Sequence, residues 1–161
     1  MCHARMLQAL LLVGVLAAAC GGENYVKGPS ATPPAVPSLV QAIVNGAFIV
    51  EPRTFKPFKI VVTPEMANAR LEGSFSATGA RNDIEVTLLT EAQFANWENS
   101  RTFEATFASG RVTTGNIAVA LPATPGTYFV VFSNRFSIFS NKAVSADVQL
   151  RYDGRSVTAQ R

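Results

Sequence analysis

The side chains that carry most nucleophilic and metal chemistry in proteins occur only at the start of this chain. The single histidine is His3, and the two cysteines are Cys2 and Cys20. A chain that loses residues 1–19 keeps no histidine and one cysteine. Such a chain cannot build a Ser-His-Asp triad, a Cys-His pair or a zinc site with His and Cys ligands.

Catalysis without histidine would depend on carboxylates, on lysine or on a serine-lysine pair. Asp83 and Glu85 stand two positions apart, which places them on one face of a strand. Asp83 follows a turn and Glu85 alternates outward, so we expect both carboxylates to be solvated surface groups. The acidic residues also lack the Asp-x-Asp-x-Asp spacing of calcium loops. The sequence therefore predicts no catalytic residue, no metal site and no cofactor.

The best candidate for a binding surface is the segment from Ser133 to Lys142, here named the Phe-rich loop. It places apolar side chains among polar ones: Phe136, Ile138 and Phe139 among Asn134, Arg135, Asn141 and Lys142. If exposed, such a group marks a contact site, and its expected contact residues are Asn134, Arg135, Phe136, Phe139 and Lys142. In the alternative, Phe136 and Phe139 fold inward over an end of the domain while Asn134 bonds the loop backbone.

The first residues have the pattern of a secretory signal peptide. Arg5 supplies a positive charge, residues 6–19 are almost wholly apolar, and small residues precede Cys20. At ~1.5 Å per residue, a helix over 6–19 spans only ~21 Å, less than the ~30 Å of a hydrocarbon core. We therefore predict a signal peptide over residues 1–19 rather than a transmembrane anchor.

The run Leu16-Ala-Ala-Ala-Cys20 resembles the lipobox of bacterial lipoproteins, in which small residues precede an invariant cysteine. Ala17 occupies the position where that family prefers leucine. The resemblance implies that Cys20 becomes the lipidated first residue and anchors the chain in a lipid bilayer of the bacterial cell envelope. Gly21 stands where inner-membrane-retained lipoproteins often carry Asp, which favours the outer membrane, facing the periplasm or the cell surface. The alternative is an ordinary signal peptide cut after Ala19, which leaves a free Cys20.

Residues 20–38 are rich in proline and small polar residues, including Pro29, Pro33, Pro34 and Pro37. This composition cannot build a core and favours extended, polyproline-like conformers. We expect a flexible tether that holds a domain up to ~50 Å from the bilayer.

The charge pattern argues against nucleic acid as a partner. The formal net charge is only +3, and the Lys and Arg residues beyond the amino terminus are scattered from Lys27 to Arg161. Phosphate binding needs these residues clustered in a patch or stripe. We therefore expect a solvated surface of mixed charge.

Apolar and polar residues alternate along much of residues 39–153. Six segments place their apolar side chains on one face: 58–62, 71–77, 84–88, 103–107, 117–121 and 144–152. Turn-forming residues separate them at 78–82, 109–110, 122–126 and 133–142. This spacing predicts an all-β domain, an antiparallel β-sandwich of about 7–8 strands. Residues 154–161 are polar, and we expect a frayed tail.

Two further segments fill in the sandwich. Tyr128–Phe132 is apolar at every position, which predicts a central strand covered on both faces or capped on one face by a loop. Thr90 and Gln93 form a capping box, which predicts one short helix over 91–98. Phe94 and Trp97 share a face of that helix, and we expect them to pack across an end of the sandwich.

Three stretches together resemble a GOLD-type (Golgi-dynamics) β-sandwich over roughly residues 55–152: Asn68–Gly79, Asn82–Leu89 and Pro125–Val144. In the last stretch a strand ending in Phe-x-Asn leads through the Phe-rich loop to Lys142-Ala-Val144 and the final strand. The resemblance implies the fold and a role in protein or lipid contact. No catalytic residues come with it.

These observations favour a non-catalytic, lipid-anchored envelope protein whose sandwich binds a protein of the envelope. The alternative is an accessory domain that binds a small ligand or a glycan, which requires Trp97, Tyr128 or Tyr152 to be exposed around a groove. An enzyme would need a cleft with two carboxylates of perturbed pKa.

Overall fold

The computed structural model describes residues 37–154, which contain eight strands and one α-helix. In chain order these are β1 (Ser38–Val50), β2 (Phe55–Val62), β3 (Met66–Thr78), β4 (Ile84–Thr90), α1 (Glu91–Glu98), β5 (Phe107–Val112), β6 (Thr114–Ala120), β7 (Gly126–Ser133) and β8 (Lys142–Gly154). A single turn of 3₁₀-helix, Ala80–Asn82, connects β3 to β4. The predicted signal peptide, Cys20, the tether up to residue 36 and the tail from residue 155 lie outside the described residues. Ser38, expected to end the tether, begins β1.

The strands form two antiparallel four-stranded sheets. One has the order β1-β8-β3-β6 and the other β2-β7-β4-β5. The first strand therefore pairs with the last one, from Ser38 opposite Asp153 to Val50 opposite Lys142. The predicted all-β sandwich with one short helix is confirmed.

The core lies between the two sheets and is rich in phenylalanine. The Phe132 ring meets Phe48 at 5.1 Å and both Phe58 and Phe75 at 5.9 Å, each edge to face. These rings come from β7, β1, β2 and β3, so a single cluster joins both sheets. Edge-to-face contacts of this kind add about 0.5–1.5 kcal/mol per pair to the burial of the rings.

The strand β7 is central, as its unbroken apolar sequence predicts, and lies between β2 and β4. Tyr128, Val130 and Phe132 face the core between the sheets. Phe129 and Val131 alternate with them and point to the outer face, where Val131 is nevertheless fully buried. Something other than the opposite sheet must therefore cover this outer face.

The helix α1 supplies that cover. Phe94 stacks on Phe129 with ring centroids 4.4 Å apart, and Trp97 meets Phe55 edge to face at 4.8 Å. The capping box has formed, with Gln93 N–H donating to Thr90 Oγ1 and Thr90 N–H to Gln93 Oε1. The expected position of α1, across an end of the sandwich, was wrong. The helix follows β4 directly, so its aromatic face lies on the outer surface of the sheet that contains β4.

The strand predicted over 103–107 was also wrong in position, because β5 begins only at Phe107. The last ladder pair between β4 and β5 is Leu88 with Phe107, although β4 continues to Thr90 in its pairing with β7. Phe103 is left 41% exposed on the connection from α1 to β5.

The predicted turn at Ser109–Gly110 is instead a bulge inside β5. Glu85 pairs with Arg111 and Thr87 with Ala108, so two residues of β5 stand opposite Val86 alone. Gly110 adopts a positive φ of 65°. The hydroxyl of Ser109 accepts the Val86 N–H at 2.9 Å, which satisfies the donor that the bulge leaves without a backbone partner.

Candidate functional site

The Phe-rich loop joins β7 to β8 and is held from within by a buried asparagine. Asn134 is 0% exposed. Its Nδ2 donates to the carbonyls of Val50 at 3.1 Å, Glu51 at 3.1 Å and Ser140 at 2.9 Å. This is the backbone-bonding role that the inward-folding alternative predicts for Asn134. The loop base is thereby fixed to the end of β1, so Asn134 supports the loop and is not part of its contact surface.

Arg135 ties the loop to α1. Its guanidinium lies over the rings of Trp97 at 4.1 Å and Phe55 at 4.7 Å. It also donates to the carbonyls of Trp97 at 3.2 Å and Glu98 at 3.3 Å, where the helix ends and a cation is favoured. Arg135 therefore stabilises the covering helix.

The two phenylalanines of the loop have different environments. Phe139 is 92% exposed, and its neighbour Ile138 is 53% exposed. Phe136 is half-buried, with the guanidinium of Arg111 at 4.3 Å and the ammonium of Lys142 at 5.7 Å from its ring centroid. The inward-folding alternative therefore describes Phe136 in part and Phe139 not at all.

Lys142, expected in the polar rim, is a buried residue with 1% exposure. Its ammonium contacts the carboxylate of Asp83 at 2.5 Å and the carbonyl of Ala80. The expectation that Asp83 is a solvated surface group was wrong as well, because its side chain is only 19% exposed and pairs with Lys142. The residues lie 59 positions apart and meet because the turn before β4 passes the start of β8. A buried charge requires such a partner.

The pairing decides the ionisation of Asp83. Partial burial raises its pKa, but the hydrogen bond from Lys142, the positive charges of Lys142 and Arg111 and a backbone hydrogen bond together lower it by more. The net result is a pKa below the ordinary value of 3.8. The carboxylate is therefore ionised at neutral pH and is no general acid.

Glu85 is not fully solvated either. Its carboxylate accepts from Arg111 Nε at 3.0 Å, and its side chain is 35% exposed. The two carboxylates form ion pairs with different cations, Asp83 with Lys142 and Glu85 with Arg111. This arrangement does not bring them together as an acid-base pair.

A cleft of about 390 Å³ opens between the Phe-rich loop, the turn before β4 and the bulged strand β5. Its lining consists of residues from these three segments: Ala80, Arg81, Asp83, Arg111, Phe136, Ser137, Ile138, Phe139, Ser140 and Lys142. The sequence indicated Phe136, Phe139 and Lys142 as contact residues but not Arg81 and Arg111. No local signal marks these two arginines, because only the packing of both sheet ends brings them to the loop.

The three aromatic residues named for glycan binding do not share one groove. Tyr128 is 4% exposed in the core, and burial raises the pKa of its phenol. Trp97 has Arg135 over one ring face and Phe55 against it. Tyr152 is half-buried and lines a separate cleft of about 210 Å³. The positions of Tyr128 and Trp97 argue against the glycan alternative, whereas that of Tyr152 does not.

No protein-family model matches the chain, and a comparison with curated proteins finds no match either. The resemblances to lipoproteins and to GOLD-type domains stay predictions. Within residues 37–154, no helix is long and apolar enough to cross a membrane. In the same range, no group of three or more His, Cys, Asp or Glu side chains is placed to hold a metal ion.

Proposed function

We propose that this chain is a non-catalytic lipoprotein of the bacterial cell envelope whose β-sandwich is a protein-interaction module. Acylated Cys20 anchors it in the bilayer, the outer membrane by preference, and residues 20–36 act as a tether. The GOLD-like resemblance, with its implied role in protein contact, belongs to the same proposal. The partner is another protein of the envelope.

The observation that carries the proposal is the exposure of Phe139. A phenylalanine that is 92% exposed beside a 53% exposed isoleucine costs solubility unless something covers it. Polar residues surround the pair, as at the rim of a protein interface. Aromatic side chains at the centre of such patches provide a large share of binding energy.

The support beneath the patch favours a preformed contact. Asn134 fixes one end of the Phe-rich loop through three hydrogen bonds, and the Lys142 pair with Asp83 fixes the other. Ser137 and Ser140 also bond to each other through their hydroxyls at 2.8 Å. A loop held in this way loses little conformational entropy on binding.

The proposal is tested by in-cell crosslinking and affinity capture with the full-length protein and its Phe139→Ala variant. We expect one envelope protein to be recovered with the wild type and to be reduced at least about tenfold by the substitution, since a central aromatic anchor contributes more than ~1.4 kcal/mol. Phe103→Ala is the matched control, because Phe103 is a 41% exposed phenylalanine outside the cleft lining. Equal capture by the wild type and by Phe139→Ala contradicts the interaction module. So does the absence of any captured protein with the wild type.

The anchor is tested separately with Cys20→Ala. We expect the wild type to incorporate radiolabelled palmitate and to fractionate with the outer membrane. The variant should incorporate none and should be released from the membrane fraction. Incorporation of label by Cys20→Ala, or membrane retention without label, contradicts lipidation at this cysteine.

A further inference from the structure

The cleft beside the Phe-rich loop carries more positive than negative charge. Its lining holds three cations, Arg81, Arg111 and Lys142, against one carboxylate, Asp83. Lys142 and Asp83 pair with each other. The excess positive charge of the lining therefore belongs to the two arginines. Arg111 also pairs with Glu85 outside the lining, whereas Arg81 has no carboxylate partner within residues 37–154.

The two guanidinium groups are available to a ligand. Arg111 donates to Glu85 through Nε at 3.0 Å, and within residues 37–154 no hydrogen bond engages its two terminal nitrogens. Its side chain is 56% exposed. Arg81 takes part in no ion pair among the described residues and adopts a positive φ of 67° in the turn before β4. Paired terminal nitrogens of a guanidinium match the two oxygens of a carboxylate.

The Phe-rich loop supplies the apolar part of the cleft, beside the hydroxyls of Ser137 and Ser140. The Phe136 ring lies directly beneath the Arg111 guanidinium, at 4.3 Å. Ile138 and Phe139 complete the lining on the side of the loop. A volume of about 390 Å³ accommodates one or two side chains and is too small for a folded element. A ligand that fits both the arginine side and the apolar side of the cleft has a carboxylate next to an apolar group.

We propose that this cleft binds an acidic peptide segment of the partner, in which an Asp or Glu side chain lies beside an aromatic or aliphatic one. The carboxylate is held by Arg111 and Arg81, and the apolar side chain packs against Phe136, Ile138 and Phe139. This inference rests on the proposed function, since it gives the chemistry of the partner at the same loop. A bilayer surface is the less fitting occupant, because a concave site with a buried ion pair at its base favours inserted side chains.

The test is a selection of short random peptides, displayed on phage, on the immobilised full-length chain carrying Cys20→Ala. We expect enrichment of sequences that place Asp or Glu beside Phe, Leu or Ile. A synthetic peptide of the enriched sequence should lose at least about tenfold in affinity when its acidic residue is replaced by the matching amide, because the amide cannot form charge-assisted bonds with the guanidinium groups. Replacing Arg111 or Arg81 of the protein by Gln should lower the affinity for the acidic peptide by a similar factor.

Arg101→Gln is the matched control, since Arg101 is an exposed arginine of the connection from α1 to β5 and lies outside the cleft lining. It should bind the peptide like the parent chain. Thermal unfolding of each variant shows that it is folded, which is expected because Arg81 and Arg111 are both exposed.

Several results would overturn the inference. These are the enrichment of neutral or basic sequences, equal binding by the arginine variants, and the absence of any enrichment. Phe139-dependent binding of the Cys20→Ala chain to phosphatidylglycerol vesicles, without peptide enrichment, would assign the cleft to a membrane surface. If capture in cells depends on Phe139 but not on the two arginines, the interaction module stands and the acidic-peptide inference fails. If capture does not depend on Phe139, the proposed function itself fails.

Discussion

At the scale of single residues, the pair of Lys142 and Asp83 places a charged group in the interior of the domain. Burying an ammonium to 1% exposure is unfavourable unless an anion lies beside it, and Asp83 is that anion. The pair also connects the start of β8 to the turn that precedes β4. The pair therefore also fixes the relative positions of the two segments that form the walls of the cleft.

We expect Asp83→Asn to lower the free energy of unfolding by about 3 kcal/mol, because it leaves the Lys142 charge buried without a counter-ion. Lys142→Met should lower the free energy of unfolding by less than Asp83→Asn does, since Asp83 keeps some access to water. The double substitution should be more stable than Asp83→Asn alone, because neither charge remains. Urea unfolding of the four proteins measures this cycle, and strictly additive costs would contradict the pairing.

The same pair predicts the acid sensitivity of the fold. The pKa of Asp83 is lower in the folded than in the unfolded chain, so the unfolded chain binds more protons at mildly acidic pH. This contribution to stability is fully present above about pH 5 and is lost as the pH falls through the folded pKa. Urea unfolding between pH 7 and pH 2 should show the difference between wild type and Asp83→Asn shrinking toward low pH. A difference that grows on acidification would contradict this assignment.

At the scale of elements, the bulge in β5 accounts for a cleft residue that the sequence does not mark. The extra residue at Ser109–Gly110 shifts the register, so that Arg111 stands opposite Glu85 and reaches Phe136. Bulges redirect side chains in this way near functional sites. Gly110 permits it because its φ of 65° lies in the left-handed region.

We therefore expect Gly110→Ala to destabilise the domain by about 1 kcal/mol, from backbone strain alone, since no atom lies within 4 Å of the added Cβ. Gly110→Asn is the matched comparison, because asparagine tolerates the left-handed conformation and should cost less. Thermal melts of both variants measure the difference. Equal losses, or a greater loss for asparagine, would show that strain at this bulge is not the cause.

The strands that the sequence placed correctly carry either an uninterrupted alternation or an unbroken apolar run. β8 carries five consecutive inward positions from Val144 to Tyr152, and the central place of β7 follows from its unbroken apolar run. β1 was not predicted because its register shifts between Ala42 and Val44, which interrupts the period of two, and because Gly46 supplies no apolar side chain between Val44 and Phe48. The residue range of α1 was predicted correctly, but its position on the sandwich was not. A capping box indicates where a helix begins and does not indicate what the helix packs against.

The site was predicted less completely than the fold for a related reason. The Phe-rich loop is contiguous in sequence, so its mixed composition was visible. Arg81, Asp83 and Arg111 reach it from other segments, and only the pairing of strands brings them there. A buried lysine is indistinguishable from a surface lysine until its partner is known.

At the scale of the whole molecule, the first strand of the sandwich lies at a sheet edge beside the last strand. β1 pairs with β8, and the rings of Phe48 on β1 and Phe132 on β7 meet across the two sheets. Such pairings between distant parts of the chain make folding slow and cooperative. β1 is also the strand next to the predicted tether, so any tension on the tether acts on β1.

This arrangement predicts where the folded unit begins. A chain starting at Pro37 should have the same melting temperature as the full-length Cys20→Ala protein, because it keeps every strand and core residue that the structure describes. A chain starting at Pro52 lacks β1 and should not fold, since β8 loses a whole edge of hydrogen bonds while Val44, Phe48 and Val50 leave the core. Circular dichroism and thermal melts compare the three chains. If the Pro52 chain melted cooperatively near the full-length temperature, β1 would be an accessory strand. If the Pro37 chain melted well below it, residues before Pro37 would contribute to the fold and could not serve as a free tether.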